Sequence, residues 1–331
     1  MKRLPAGLKD ASTRWASLLV AFACLAFFSI GGAAAPYPER PVKLIVPYPA
    51  GGSTDGTARL IAQKLADIWG QAVVVENRPG ADTQIGNAAV ATATPDGYTL
   101  LVIATTFAIS KSLYANLPYD PAKDFTPIAP VAIAPFYLVV GSSIPANSVG
   151  ELIAMAKRDP GKLNYAVSSS TNFMAAELMK QAAGIDVMAI RYKGGAPAVV
   201  AVAAGEVTYG LENPLSVQAM LDAGKMRVLA VTGERRPANL PSVPTFAEIG
   251  LGGADIGAWV GLAGPKGLPA DVVEKVSSAV QAAVALPDVR QKLDSFMAIP
   301  ISQNAAQFAA FIKKEIDRYE AVVKSAKLAP P

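Results

Sequence analysis

Between residues 41 and 324 short runs rich in branched and aromatic residues alternate with amphipathic stretches, and this alternation constrains the fold more than any other feature. Val42 to Val46, Ala72 to Val75, Tyr98 to Ile103, Tyr137 to Val140, Leu163 to Val167, Val187 to Ile190, Val207 to Leu211, Val228 to Val231 and Ala258 to Leu262 read as strands. Helical spacing of apolar residues marks Asp55 to Trp69, Ser148 to Lys157, Phe173 to Ala183, Asp271 to Ala285 and Asn304 to Lys324. In the last of these only Glu315 interrupts the apolar stripe. Alternation of this kind builds βαβ units, so an α/β fold with two mainly parallel sheets flanked by helices is expected. Pro/Gly-rich punctuation at Pro127 to Pro135 and again at Leu251 to Gly261 predicts two sheet domains joined by two hinge crossings of the chain. One lobe is then expected at 36–133 with 259–331 and the other at 134–258.

With 52% apolar and 17% charged residues among 331, the chain can fill two cores. It contains no histidine and a single cysteine, Cys24. A Ser-His-Asp triad, a Cys-His dyad, a His-ligated zinc site and an intramolecular disulfide are all excluded, and no metal or cofactor is expected. The first 35 residues read as a cleaved secretory signal. Lys2, Arg3, Lys9 and Arg14 lead into an apolar run from Trp15 to Ile30, followed by small residues from Gly31 to Ala35. That run is shorter than the ~20 residues a membrane span needs. Removal of the leader takes 30 Lys+Arg against 26 Asp+Glu to 26 against 25, and the net charge from +4 to +1. The basic balance therefore belongs to the leader, and nothing in the remainder resembles a nucleic-acid footprint.

Four segments follow strands where ligands of open α/β sheets bind. The first is Pro47 to Asp55, in which Tyr48 and Ala50 precede Gly51, Gly52, Ser53 and Thr54. The glycines allow close backbone approach, and the first-turn amides of the following helix favour an anion. The same residues also suit an ordinary strand–helix turn capped by Ser53 or Thr54. The second is Thr105, Thr106, Phe107 and Ala108. The third, Ser168, Ser169, Ser170, Thr171 and Asn172, holds more hydroxyl and amide groups than capping requires, which favours a carboxylate site over the alternative of a mobile polar loop. The fourth runs from Ile190 to Pro197, where Tyr192 offers a flat wall and Gly194 and Gly195 a tight turn, while Arg191 and Lys193 suit either an acid or solvent.

Together these segments resemble the solute-binding receptors of tripartite tricarboxylate transporters, the Bug receptors. The resemblance runs through Tyr37 to Arg59, Glu76 to Gly80, Pro95 to Leu101, Pro160 to Tyr165, Tyr192 to Gly194 with Ala196 and Pro197, Ala223 to Lys225, Leu229 to Thr232, Pro241 to Glu248 and Trp259 to Pro265. It implies a two-lobed, type II-like periplasmic-binding-protein fold. It also implies a periplasmic receptor that closes on a small organic carboxylate and delivers it to membrane subunits, with ligand contacts from Tyr48 to Thr54, Thr105 to Ala108, Ser168 to Asn172 and Tyr192 to Gly194; separately, a monomer is expected. This chain departs from the family pattern at three places. Asn172, Phe173 and Met174 stand where a glycine-rich loop with a histidine is usual. Thr208 and Glu212 occupy positions where aspartates are expected, and Ala81 to Gln84 replaces a glycine-rich turn. Phe173 and Met174 direct the expectation toward an apolar or aromatic acid.

Two other functions fit parts of the sequence. An extracytoplasmic enzyme acting on organic acids would draw on Asp55, Glu177, Glu212, Tyr192 and Lys193, although no paired spacing links them. A ligand sensor for a signalling partner would use the same fold as a receptor.

Overall fold

The computed structural model describes residues 37–237 and 239–326, so the expected signal at 1–35 lies outside the described residues. In chain order the elements are β1 (Val42–Val46), α1 (Ser53–Trp69), β2 (Val73–Asn77), α2 (Gln84–Ala91), β3 (Thr99–Ala104), α3 (Thr105–Leu113), β4 (Phe125–Pro135), β5 (Tyr137–Gly141), α4 (Val149–Arg158), β6 (Asn164–Val167) and α5 (Ser170–Ala183). There follow β7 (Met188–Arg191), α6 (Gly195–Ala204), β8 (Tyr209–Glu212), α7 (Pro214–Asp222), β9 (Met226–Val231), β10 (Gly257–Pro265), α8 (Ala270–Ala285), α9 (Pro287–Ser295), β11 (Ile299–Pro300) and α10 (Ala305–Ala326).

The strands form two sheets, one ordered β11-β4-β10-β3-β1-β2 and the other β7-β6-β8-β5-β9. The α/β class and the two sheets agree with the sequence reading, but the pairing is mixed rather than mainly parallel. Only β1 with β2 and β3, and β6 with β7 and β8, run parallel; the pairs involving β4, β5, β9, β10 and β11 are antiparallel. The reason is topological. A chain that leaves one sheet along β4 and returns along β10 must place outgoing and returning strands in opposite directions, and β5 and β9 mirror this in the second sheet.

The proline-rich segment expected to be punctuation is itself strand β4, with Pro127, Pro130 and Pro135 paired to Ala263, Gly261 and Gly257 of β10. A residue without an N–H is tolerated at an edge or an irregularity. Two breaks in the β4–β10 register fall between Val260 and Gly261 and between Leu262 and Ala263, and β11 covers β4 only at Ala132 and Ile133.

The chain passes between the sheets at Phe136, whose N–H donates to Thr232 Oγ1 at 2.7 Å while its carbonyl accepts from the Thr232 N–H at 2.9 Å. It passes back ahead of Gly257, where Asp255 Oδ1 accepts from the Gly233 N–H at 2.5 Å. Arg318 of α10 donates to the carbonyls of Gly253 and Asp255 from the side. One continuous apolar core joins the lobes here. Phe107 and Ile109 of α3, Phe173 and Met174 of α5, Trp259 of β10 and Phe308 of α10 are all buried in it. A smaller core under the second sheet gathers Tyr137, Val139, Val199 and Val202.

Candidate functional site

A cavity of about 300 Å³ lies between the sheets, lined by Tyr48 from the loop ahead of α1, by Ser53, Thr54 and Thr57 from the start of α1, by Thr105 and Thr106 from the start of α3, and by Ser169, Thr171 and Asn172 from the start of α5. Asn213, ahead of α7, completes a ring of four helix N-termini. The two second-sheet helices are capped by side chains. Ser169 accepts from the Asn172 N–H at 3.2 Å, and Asn213 from the Leu215 N–H at 3.0 Å. The two first-sheet helices begin at Gly52 and Ala104, which supply no capping side chain. Their first-turn amides therefore keep donors that a bound anion can satisfy.

The opposite wall is apolar. Phe136, Trp259, Phe296 and the methyl groups of Ala132, Ala134 and Ala258 line it. Trp259 is 1% exposed, stands edge-on to Phe308 and Phe311, and has no hydrogen-bond partner for its buried indole N–H among the described residues.

Buried ties hold the first loop. Asp55 Oδ2 accepts from the Gly51 N–H at 2.9 Å and from Arg59 Nε at 3.0 Å, while Oδ1 accepts from Asn77 Nδ2 at 2.7 Å. Asn77 Nδ2 also donates to the Tyr48 carbonyl at 3.1 Å. Burial works against ionisation of Asp55, but the Arg59 guanidinium and the Gly51 and Asn77 donors outweigh it and hold the carboxyl below its usual range. Tyr48 OH is hydrogen-bonded to Thr106 Oγ1, which joins the α1 and α3 loops, and burial pushes its phenol well up. The Thr105 hydroxyl is already committed: it donates to the Gly257 carbonyl at 2.9 Å and accepts from the Trp259 N–H at 3.0 Å.

Of the residues expected from sequence, Tyr48, Ser53, Thr54, Thr105, Thr106, Ser169, Thr171 and Asn172 meet around the cavity. Ala50, Gly51 and Gly52 are exposed and outside its lining; Gly51, at φ 87°, shapes the turn. Phe107 lies in the core, edge-on to Phe125 with ring centres 5.0 Å apart. Ser168, Ser170 and Tyr192 line a neighbouring recess of about 190 Å³ together with Ser169, Asp82, Tyr114 and Arg191. Gly194, at φ 97°, opens α6 and lines neither space. Phe173 and Met174, which had pointed toward an aromatic ligand, are core residues on the inward face of α5.

The carboxylates considered for an enzyme are placed elsewhere. Asp55 secures the loop, Glu177 accepts from Tyr165 OH at 2.5 Å inside the second lobe, and Glu212 lies behind Asn172; none lines the cavity. Asn172 Nδ2 donates to Glu212 Oε2 at 3.1 Å, whereas Oε1 is buried without a partner among the described residues. Burial pushes the Glu212 carboxyl up to about 8, against the opposing pull of its bonds with Ser168 and Asn172. Sequence reasoning missed Asp82, Asn213 and the aromatic wall. Only Asp82 left a trace, in the replacement of the family's glycine-rich turn.

Two lobes meeting at a cavity ringed by helix N-termini define a two-lobed solute-binding protein, and comparison with known proteins agrees. The model of the tripartite tricarboxylate transporter family receptor matches residues 57–328. Protein BugT of Bordetella pertussis is 34% identical over 307 residues, which are 90% of this chain and 94% of that protein. A solved R. palustris protein with adipate superposes with a TM-score of 0.78 at 36% identity, covering 89% of this chain and all (100%) of that one. MatC from Rhodopseudomonas palustris with bound malate gives 0.74 at 32% identity, covering 87% of this chain and 100% of that one. The periplasmic binding protein BugD gives 0.75 at 32%, with 88% and 99% covered. The chain belongs to the tripartite tricarboxylate transporter receptor family, and its role is solute binding.

Proposed function

We propose that this chain is a periplasmic receptor, exported by its N-terminal signal, that closes two lobes on a small organic carboxylate and delivers it to the membrane subunits of a tripartite tricarboxylate transporter. It acts as a monomer, with lobes at 36–133 plus 259–331 and at 134–258. The observation that carries the reading is the pair of uncapped helix N-termini, α1 and α3, opening onto the same cavity. Amide donors and hydroxyls there can hold a carboxylate without a cationic clamp. Relatives solved with adipate and malate support the same ligand class. An apolar or aromatic body still suits the cavity, because Tyr48, Phe136, Trp259 and Phe296 line it in place of the residues first considered.

The test is to express the full chain with its own leader, purify it from the exported fraction and identify retained small molecules by mass spectrometry. A carboxylic acid recovered unchanged after incubation is expected. Recovery of no acid, together with no thermal shift across a panel of mono-, di- and tricarboxylates, would remove the reading. Conversion of the acid into product would replace it with the enzyme.

A further inference from the structure

Among the residues that line the 300 Å³ cavity, Asp82 alone carries a charged side chain. Its carboxylate Oδ2 accepts from Ser170 Oγ at 2.8 Å and from Tyr114 OH at 3.1 Å. Among the described residues nothing donates to Oδ1, and no lysine or arginine forms an ion pair with the group. Ala81, Asp82 and Thr83 occupy consecutive left-handed positions, at φ 45°, 47° and 77°, which set the side chain at the cavity margin. Thr83 is buried and accepts from Asn87 Nδ2 at 3.2 Å, so the turn is anchored from below.

A site for an acid thus contains one negative charge of its own and no positive one. Two carboxylates brought together in such a space repel, and the cost rises as closure excludes water. An ammonium group does the opposite, because it supplies the counter-charge and a donor for the free oxygen. Arg191 does not fill that role. It borders the smaller recess that Asp82 also borders, but no ion pair joins the two, its guanidinium lies 5.1 Å from the centre of the Phe173 ring, and it does not line the cavity itself.

We infer that the ligand is a carboxylic acid that also carries an ammonium group, a zwitterion, and that Asp82 is the residue that selects it. The acid end is held at the uncapped starts of α1 and α3 and the cationic end at Asp82. This rests on the carboxylate-receptor reading and narrows its ligand class.

The test is calorimetric titration of the purified protein with short-chain acids of matched length: unsubstituted acids, terminal dicarboxylates, and amino acids with the ammonium at the α or the terminal carbon. The wild-type protein is expected to bind its best amino acid about tenfold or more tightly than the dicarboxylate of equal length. D82N keeps the shape and suits the left-handed backbone. It should reduce that ratio to within about threefold while melting as the wild type does. A wild-type protein that binds the dicarboxylate as tightly as the amino acid overturns the inference, and needs no variant to show it. Retention of the preference in D82N overturns the role of Asp82. If none of the acids binds, unsubstituted ones included, the carboxylate reading itself has failed.

Discussion

Glu212 ends β8 with a carboxyl that is 2% exposed and half satisfied. Burial raises its folded pKa from an ordinary carboxyl value to about 8. Between these values the folded state holds a proton that the unfolded state has released. The contribution of Glu212 to stability is therefore fully present below about pH 4.5 and is lost as pH rises through about 8, with a slope of at most ~1.4 kcal/mol per pH unit. E212Q should be free of that slope. Denaturant titrations from pH 5 to 8 are expected to show the wild type losing stability relative to E212Q as pH rises; a constant difference between the two would count against a protonated Glu212. At this scale, legibility followed local pattern. Ser53, Thr106 and Asn172 were readable because each lies in the first turn of a helix that follows a strand. Asp82 was not, because its place at the cavity depends on a left-handed turn and on Ser170, 88 positions away in sequence. Glu315, the interruption in the α10 stripe, is buried all the same: Tyr319 OH donates to it, and Arg318 lies 3.6 Å away.

Elements with strong periodicity, such as α1, α8 and α10, were legible to within a few residues, as were the nine short strands. Two of those missed, β4 and α3, have a physical reason in how they pack or connect. β4 contains three prolines and survives because most of its outer edge lacks a partner strand. α3 starts with no connecting residue after β3, so its opening looked like a loop. The start of β10 was read both as a strand and as punctuation, and Gly261 is small there because there is no room. A methyl group there would collide with the Phe308 ring and approach the Ala129 carbonyl oxygen to 2.8 Å. G261A should cost about 1–3 kcal/mol by forcing α10 away from the sheet. G195A, in the first turn of α6 with open space around it, serves as the control and should leave the denaturation midpoint nearly unchanged.

For the whole molecule, the proposed closure has its pivot at Phe136 and at the return segment before Gly257, where Thr232, Asp255 and Arg318 tie the crossings together. Buried residues of α3, α5 and α10 share one core, so the proposed closure would pivot on that contact rather than part the lobes. An acid that touches both lobes binds the closed form better than the open one and shifts the population toward it. Small-angle scattering should show a smaller radius of gyration when a tightly bound acid is added. Superimposable profiles would mean that binding proceeds without lobe movement.

The absence of lysine and arginine from the cavity lining also bears on how fast a ligand arrives. No basic side chain in the lining adds to the partial positive charge of the helix N-termini, and a zwitterion would feel little pull from a field that 0.1 M salt screens within roughly 10 Å. Capture is then set by diffusion and by how often the lobes stand open. For the proposed zwitterion the association rate is therefore expected to change little with ionic strength, without the speed that electrostatic steering gives.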